Sequence, residues 1–413
     1  MNLLFVIDSI DQPDAATPTL LRRICAQFAA DGNAVTLLEL ATDGMILPAS
    51  PAGVQREIVY CNGETLLHSI VRDGKDRGES LLPILCKLML HPSAVGAAWQ
   101  LLVLKNGPRG KCCQENIENL CAKSQYDAVL TASAPHHTAF ALLRARISAD
   151  TLKAPVLFDP YSTGPFYRSK RDVRLEERLL RECAVTFVAK DVLQGYATSS
   201  LCVFCKKVKC IDFPALIAHD ISSDISVASP FIDCVFIGTL YQNLRSPQAV
   251  LELFCQNNDP RMRLVFIGDS HRFSAEFFAP YQKILKERLV LQGPIPYQKA
   301  ISAMEHAAFL INIGNANSTQ IPSKLFDYFS TGRPVINFCK NDQDTSFPLV
   351  AQYQSGLNLL EDTAMSDKIK ALRQFCLTKQ EVQIPFSVVA STFPSYTPAA
   401  VSKTIAQTLQ ALQ

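Results

Sequence analysis

The 413-residue chain has no uninterrupted apolar stretch near the roughly 18 to 20 residues that a membrane-spanning helix needs. The nearest run, residues 81–104, is broken by Lys87, His91, Pro92 and Gln100, which excludes an integral membrane protein. Charge is sparse too: charged residues make up 19% and the formal net charge is +2, so no nucleic-acid partner is expected. With 48% hydrophobic residues beside so little charge, neither a disordered chain nor a coiled coil fits. No basic segment and apolar core of a cleavable leader open the chain. Met1 and Asn2 run straight into the strand pattern LLFVI, and a cytoplasmic protein is expected. A convincing metal set is also missing. The 14 cysteines are scattered through strand and helix patterns and are expected to be reduced, mostly buried thiols. Cys202, Cys205 and Cys210 show a C-x2-C-x4-C spacing but find no fourth ligand and overlap a strand, so no zinc site is expected.

What is present is an alternation of short apolar strands with helical spacing, run through twice. In the first run, residues 3–7 read as a buried strand ending at Asp8, followed by a polar loop, a helix over 20–30 and a strand over 34–40. Further strands are expected at 127–131, 155–158, 185–189 and 208–211. From 58 to 123 the signal is mostly helical. The apolar segment 81–104 carries the only tryptophan, Trp99, with Lys105, Arg109 and Lys111 just beyond. Two readings stand: a core helix with a solvated basic end, or a helix lying on an anionic membrane surface. Residues 219–230, rich in Ser, Asp and Ala, read as the linker. The second run has strands at 234–237, 264–267, 289–291, 309–313 and 335–338. A chain of this length exceeds a typical single core, and two doubly wound parallel sheets are expected.

The stretch 309–338, FLINIGNANSTQIPSKLFDYFSTGRPVINF, carries the strongest chemical signal. Pro322 suits the first position of a helix, Leu325, Phe326 and Phe329 share one face, and Gly332 suits the residue just past the end. A helix opening there leaves the N–H groups of Ser323, Lys324 and Leu325 without intrahelical partners, at the positive end of the helix dipole. Lys324 adds a mobile cation, and Asp327, a turn further in, offers a carboxylate to paired sugar hydroxyls. Phosphate beside a sugar diol describes a nucleotide; an ordinary capped helix with a solvated Lys and Asp is the competing reading.

The segment IPSKLFDYFSTGRPVI resembles the nucleotide-sugar signature of family 4 glycosyltransferases with the GT-B fold, also called glycosyltransferase group 1. Asp327 stands where that family usually has the second glutamate of its Glu-x7-Glu motif, associated with the donor ribose. Thr319 stands in place of the first glutamate, associated with the transferred sugar. FIGTLYQNLRSP resembles the family's Gly-Arg-x4-Lys loop, with Gly238 matching, Thr239 replacing the first basic residue and Arg245 one position past the second. VFIGD ends a strand at Gly268 and Asp269, and LVLQGPIP places Gly293 and Ile295 where relatives use backbone groups to recognise the nucleobase; the turns follow in the family's order. In the first run, TASAPHHTAF resembles the Ser-x-Pro-Pro-His-Ser turn of a subset of these enzymes through Ser133, Pro135 and His137. There a histidine at a helix start is expected as a neutral donor or acceptor toward a sugar. Asp159-Pro160-Tyr161 resembles the Arg-Asp-Pro-Trp turn of the same subset and makes Asp159 a candidate acceptor contact. Arg168, Lys170, Arg171 and Arg174 cluster ahead of Glu176 and Glu177, as a solvent-facing helix start or as a phosphate clamp for a lipid-linked acceptor.

The resemblance implies an α/β protein of GT-B fold: two Rossmann-like domains facing a cleft, an acceptor domain over 1–218, a nucleotide-sugar domain over 231–395 and a helix over 396–413 that returns to the first. It implies a retaining, metal-independent hexosyltransferase that moves a sugar from a nucleotide-sugar to a saccharide or lipid-linked acceptor, in cell-surface polysaccharide or glycoconjugate synthesis, with no cofactor. Contact with the inner face of the plasma membrane stays open. His137, Asp159, Arg245 and Lys324 are the candidate catalytic residues; Gly238, Thr239, Gly268, Gly293, Ile295, Thr319, Pro322, Ser323, Leu325 and Asp327 are the candidate donor-binding residues. A nucleotide-sugar epimerase of the same fold and a non-catalytic nucleotide-sugar-binding scaffold are the alternatives.

Overall fold

The computed structural model describes residues 1–9, 16–61, 108–133, 135–164, 169–219, 230–242, 245–270, 273–314 and 324–413. The chain divides into two compact units, one formed by Met1–Pro214 with Pro398–Gln413 and the other by Ala215–Thr397.

In the first unit the strands β1 (Asn2–Asp8), β2 (Ala34–Ala41), β3 (Val54–Tyr60), β4 (Ala128–Thr131) and β5 (Leu152–Lys153) form a parallel sheet in the order β3-β2-β1-β4-β5. β6 (Val156–Leu157), β7 (Thr186–Val188) and β8 (Val208–Cys210) form a second parallel set, joined to β4 by a bridge between Ala132 and Val156. Leu3 to Ile7 are wholly buried, as a strand covered on both faces requires. Among the described helices of this unit are α1 (Ala16–Ala30), α2 (Pro108–Lys123), α3 (His137–Arg144), α4 (Lys170–Glu182) and α5 (Lys190–Ala197). The last helix of the chain, Pro398–Gln410, packs against α1 and buries Val401, Ile405 and Leu409.

Several expectations change here. Residues 58–60, expected at the start of a helical region, instead complete β3, which pairs along its length with β2. The rest of that region up to 107, including Trp99, Lys105 and the segment 81–104, lies outside the described residues. Cys61 and Cys112, expected as thiols, form a disulfide, because the end of β3 and the first turn of α2 bring them together across 51 residues of sequence. Glu176, expected on a solvated helix start, is fully buried and accepts hydrogen bonds from the Ser162 amide and the Tyr196 hydroxyl. Residues 215–218, expected in the first domain, pack with the second unit, where the Leu216 amide bonds to the Tyr396 carbonyl and that of Ile217 to Ser330 Oγ.

The second unit is a six-stranded parallel sheet in the order β11-β10-β9-β12-β13-β14. Its strands are β9 (Ile232–Ile237), β10 (Met262–Ile267), β11 (Leu289–Gln292), β12 (Phe309–Ile313), β13 (Val335–Cys339) and β14 (Gly356–Leu360). Helices α6 (Gln248–Gln256), α7 (Ala275–Leu285), α8 (Tyr297–His306), α9 (Lys324–Ser330), α10 (Ser346–Gln352), α11 (Met365–Lys379) and α12 (Phe386–Thr392) connect or flank them. The core is one continuous cluster in which Phe236, Phe254, Phe266 and Phe309 are central. Across it runs one polar rung: Asn312, Asn337 and Asn358 occupy matching positions on β12, β13 and β14 and hydrogen-bond in series at 2.7 Å. A buried rung of this kind fixes register, since a one-residue slip would leave every amide without a partner.

Candidate functional site

Each sheet has a point where the connections change direction, and in open α/β sheets ligands bind beyond the strand carboxyl ends at that point. In the second unit it lies between β9 and β12. β9 ends at Ile237 and the chain turns at Gly238, whose φ of 150° favours glycine. One strand over, Gly268 follows β10 with φ of 129°, and a β-carbon there would collide with the Gly238 carbonyl oxygen. The two turns therefore stack backbone to backbone, held by amide bonds from Gly238 to Ile267 and from Gly268 to Gln292. On the other side stands Lys324, the first described residue after Gly314 and the first of α9; a β-carbon on Gly238 would lie 3.4 Å from its Nζ.

The loop after Gly238 forms a small antiparallel bridge between Tyr241 and Arg245, which exchange backbone hydrogen bonds at 2.9 and 3.2 Å. Arg245 is half-buried and near enough to Lys324 to act on it. Desolvation lowers the Lys324 pKa, Asp327 pulls it up, and the Arg245 guanidinium lowers it again. Desolvation likewise lowers that of Arg245. Two neighbouring cations, Arg245 half-buried and Lys324 exposed at the start of α9, attract a polyanion. Behind them the Tyr328 hydroxyl accepts from the Ile237 amide at 2.9 Å and ties α9 to the end of β9.

The other donor-site candidates are distributed unevenly. Thr239 and Asp327 are half-buried beside this turn and on α9 respectively, and the Leu325 side chain is wholly in the core. Gly293 is exposed and a β-carbon on it would meet nothing within 4 Å, while Ile295 is half-buried. Thr319, Pro322 and Ser323 lie outside the described residues. Gly332 has φ of 71°, the left-handed cap expected after α9.

In the first unit the change of direction falls between β1 and β4. Asp8 ends β1, and His137 opens α3 after β4. The ring Nε2 of His137 lies 2.6 Å from Asp8 Oδ2. Arg109 grips the same carboxylate with Nε on Oδ2 and Nη2 on Oδ1, both at 2.6 Å, and its Nη1 donates to the Cys61 carbonyl at 2.7 Å. Burial alone would raise the Asp8 pKa, but the hydrogen bonds and charges of His137 and Arg109 outweigh it and hold the pKa below its usual value. Arg109, expected in a basic turn, is therefore a core residue, 1% exposed, because a buried carboxylate needs a bidentate cation more than the surface does.

The neighbouring His136 is different. Its ring Nε2 meets the Asp159 carbonyl at 3.2 Å and packs at 5.0 Å from the Tyr161 ring, and desolvation pushes its pKa down to about 4. Asp159 itself is half-buried at the end of β6; burial raises its pKa, and Thr17 Oγ1 donates to its carboxylate at 3.4 Å. Ser133 Oγ accepts from the Phe158 amide at 3.0 Å, so the two motifs on either side of this edge support each other.

Asp8 and Arg109 escaped the sequence reading. The first was visible only as the last residue of a strand. The second was masked by Lys105 and Lys111, which give its stretch the look of a solvated basic turn.

No protein-family model and no curated relative matches the sequence. Solved structures do match over the whole length. An apo lipopolysaccharide outer core galactosyltransferase, WaaB, aligns over 100% of both chains at 12% identity with a TM-score of 0.56. The Anabaena protein HepE, in complex with UDP and glucose, aligns over 100% of both chains at 13% identity with a TM-score of 0.61. The chain has the GT-B fold. That fold also carries other chemistry: the UDP-GlcNAc 2-epimerase of Methanocaldococcus jannaschii aligns over 100% of both chains at 9% identity with a TM-score of 0.53.

Proposed function

We propose that this GT-B protein is a glycosyltransferase that moves a sugar, with retention of anomeric configuration, from a nucleotide-sugar to a saccharide or lipid-linked acceptor in cell-surface polysaccharide or glycoconjugate synthesis. The observation that carries this reading is the meeting of Arg245, Lys324 and the Gly238 turn at the carboxyl ends of β9 and β12. A leaving diphosphate develops charge as the glycosidic bond breaks, and two cations already in place beside it stabilise that charge. Asp327, on the same helix as Lys324, is assigned to the ribose, and the turns at Gly268, Gly293 and Ile295 to the base. His137 and Asp159, in the first unit, are assigned to sugar hydroxyls.

Because the donor site supplies its own cations, turnover is expected without added divalent metal. Uridine nucleotides are the first donors to test, since HepE was solved with UDP and glucose. Among the described residues no helix is long and apolar enough to cross a membrane, and the proposed place of action is the cytoplasm, with peripheral contact at the inner face of the plasma membrane.

The test is release of free nucleotide from a panel of nucleotide-sugars with and without acceptor. Release that appears only with acceptor supports transfer. Conversion of the donor sugar with no acceptor points to epimerase chemistry, and binding without either reaction points to a scaffold. Strict dependence on Mg²⁺ or Mn²⁺ would contradict the metal-independent form of the proposal.

A further inference from the structure

Two histidines stand side by side at the start of α3, and their surroundings differ in kind. His136 has a backbone carbonyl and an aromatic ring for partners, the usual setting of a histidine that stabilises a loop. His137 has a buried carboxylate. We infer that Asp8 and Arg109 are positioning residues that fix the tautomer and orientation of His137, so that its Nδ1 is presented as a hydrogen-bond acceptor to a hydroxyl of the sugar substrate. This rests on the glycosyltransferase reading and extends it.

The accessibility is graded along the chain of contacts. The Arg109 side chain is 1% exposed and that of Asp8 0%, whereas the His137 side chain is 18% exposed. Only the last member of the series can reach a ligand. The Asp8–Arg109 pair, moreover, is complete without the histidine. Both carboxylate oxygens are held at 2.6 Å, and Arg109 has a further partner in the Cys61 carbonyl. Oδ2 nevertheless takes a second contact, also at 2.6 Å, from His137 Nε2.

An ionised carboxylate only accepts hydrogen bonds, so the proton between these atoms is on Nε2. In the neutral form of the ring the lone pair is then on Nδ1, for which no partner exists among the described residues. Arg109 already bonds to both Asp8 oxygens, so the further contact of Oδ2 with the ring serves to orient it. A carboxylate fixing the tautomer of a partly exposed imidazole is a general way of making one ring nitrogen a dedicated acceptor.

The sheet explains why these three residues meet. Asp8 and His137 follow the adjacent strands β1 and β4, whose register pairs Val6 with Thr131, so their loops leave the same edge side by side. Arg109 enters from α2, with Cys112 of the same helix joined to Cys61 at the end of β3. The cluster of Asp8, Cys61, Arg109 and His137 is thus assembled from four separate stretches of chain, all within one unit.

The substitution Asp8→Asn tests this. An amide that keeps its oxygen toward Arg109 turns its NH₂ toward His137, which forces the ring proton to Nδ1 and converts the acceptor into a donor. Acceptor-dependent turnover is expected to fall roughly 10-fold or more, with nucleotide binding by the second unit unchanged. In a His137→Ala background the same substitution is expected to cost less than about 2-fold, because residues acting through one group are not additive. Wild-type turnover in Asp8→Asn, or losses that multiply in the double variant, would overturn the inference.

If Asp8→Asn does not fold, ¹⁵N spectra of the histidine-labelled wild-type protein, assigned against His137→Ala, decide the matter. A proton on Nε2 of His137 is expected, and one on Nδ1 refutes it. Because the spectra need no turnover, they distinguish failure of this inference from failure of the transferase reading, which would appear as a wild-type protein without acceptor-dependent transfer.

Discussion

Gly238 and Lys324, 86 positions apart in sequence, are packed so that a single methyl group on the first would lie 3.4 Å from the ammonium of the second. The glycine ends β9 at a φ of 150° and the lysine opens α9. Gly238→Ala therefore strains the turn and sets a methyl group in van der Waals contact with the cation. Nucleotide affinity is expected to weaken about 10-fold or more, equivalent to 1.4 kcal/mol per decade; calorimetric titration with UDP or the nucleotide found by donor screening measures it. Wild-type affinity in a folded Gly238→Ala protein would remove the turn from the donor site.

Lys324 and Asp327 share a helix but are given different tasks, and their substitutions should separate them. Lys324→Ala removes charge from the leaving diphosphate, and kcat is expected to fall about 100-fold. Asp327→Ala removes the ribose contact, and nucleotide affinity is expected to weaken about 10-fold. Equal losses in kcat and affinity for both variants would mean that the two side chains have no separate roles.

Gly332 caps α9 in the left-handed region, and a β-carbon there would overlap the Ile384 carbonyl oxygen. Because that carbonyl belongs to a backbone pair in which the Ile384 amide bonds to the Gly332 carbonyl at 2.9 Å, the neighbour cannot move aside cheaply. Gly332→Ala is expected to destabilise the second unit by about 2 kcal/mol or more, read as a lower midpoint in denaturant unfolding.

Asp191, half-buried at the start of α5, has its pKa raised from 3.8 to about 6 by desolvation; the Val192 amide pulls it down and Asp159 pushes it up. The folded protein thus binds this proton more tightly than the unfolded chain. By linkage the ionised carboxylate costs stability, with the penalty absent below the unfolded value, growing as pH rises from about 4 to about 6 and complete above that. Asp191→Asn is expected to stabilise the first unit at neutral pH by about 1 to 2 kcal/mol after allowance for its partial exposure, and to make no difference near pH 3.5. A gain that persists at that pH would assign the effect to packing.

The strand and helix alternation was legible because a parallel strand covered on both faces must be almost wholly apolar, as residues 3–7 are throughout and 309–313 are apart from Asn312, and because helices between such strands keep one apolar face. The cap at Gly332 was legible for a similar reason: a left-handed turn selects glycine locally. β3 was not, since Val54–Tyr60 is half-buried or exposed along its length and derives its conformation from pairing with β2. Nor was the disulfide, whose partners stand 51 positions apart.

The sequence by itself determined what is local: which buried segments are strands, where α9 ends, and that a lysine and an aspartate share its first turn. Only the tertiary structure decided the partnerships. Arg109 and Asp8 are 101 positions apart, and no local property of PRGK distinguishes a buried cation from a solvated one. Its place follows from the sheet order, which puts the end of β1 beside that of β4 and leaves a carboxylate in a dry interior that only a bidentate cation satisfies.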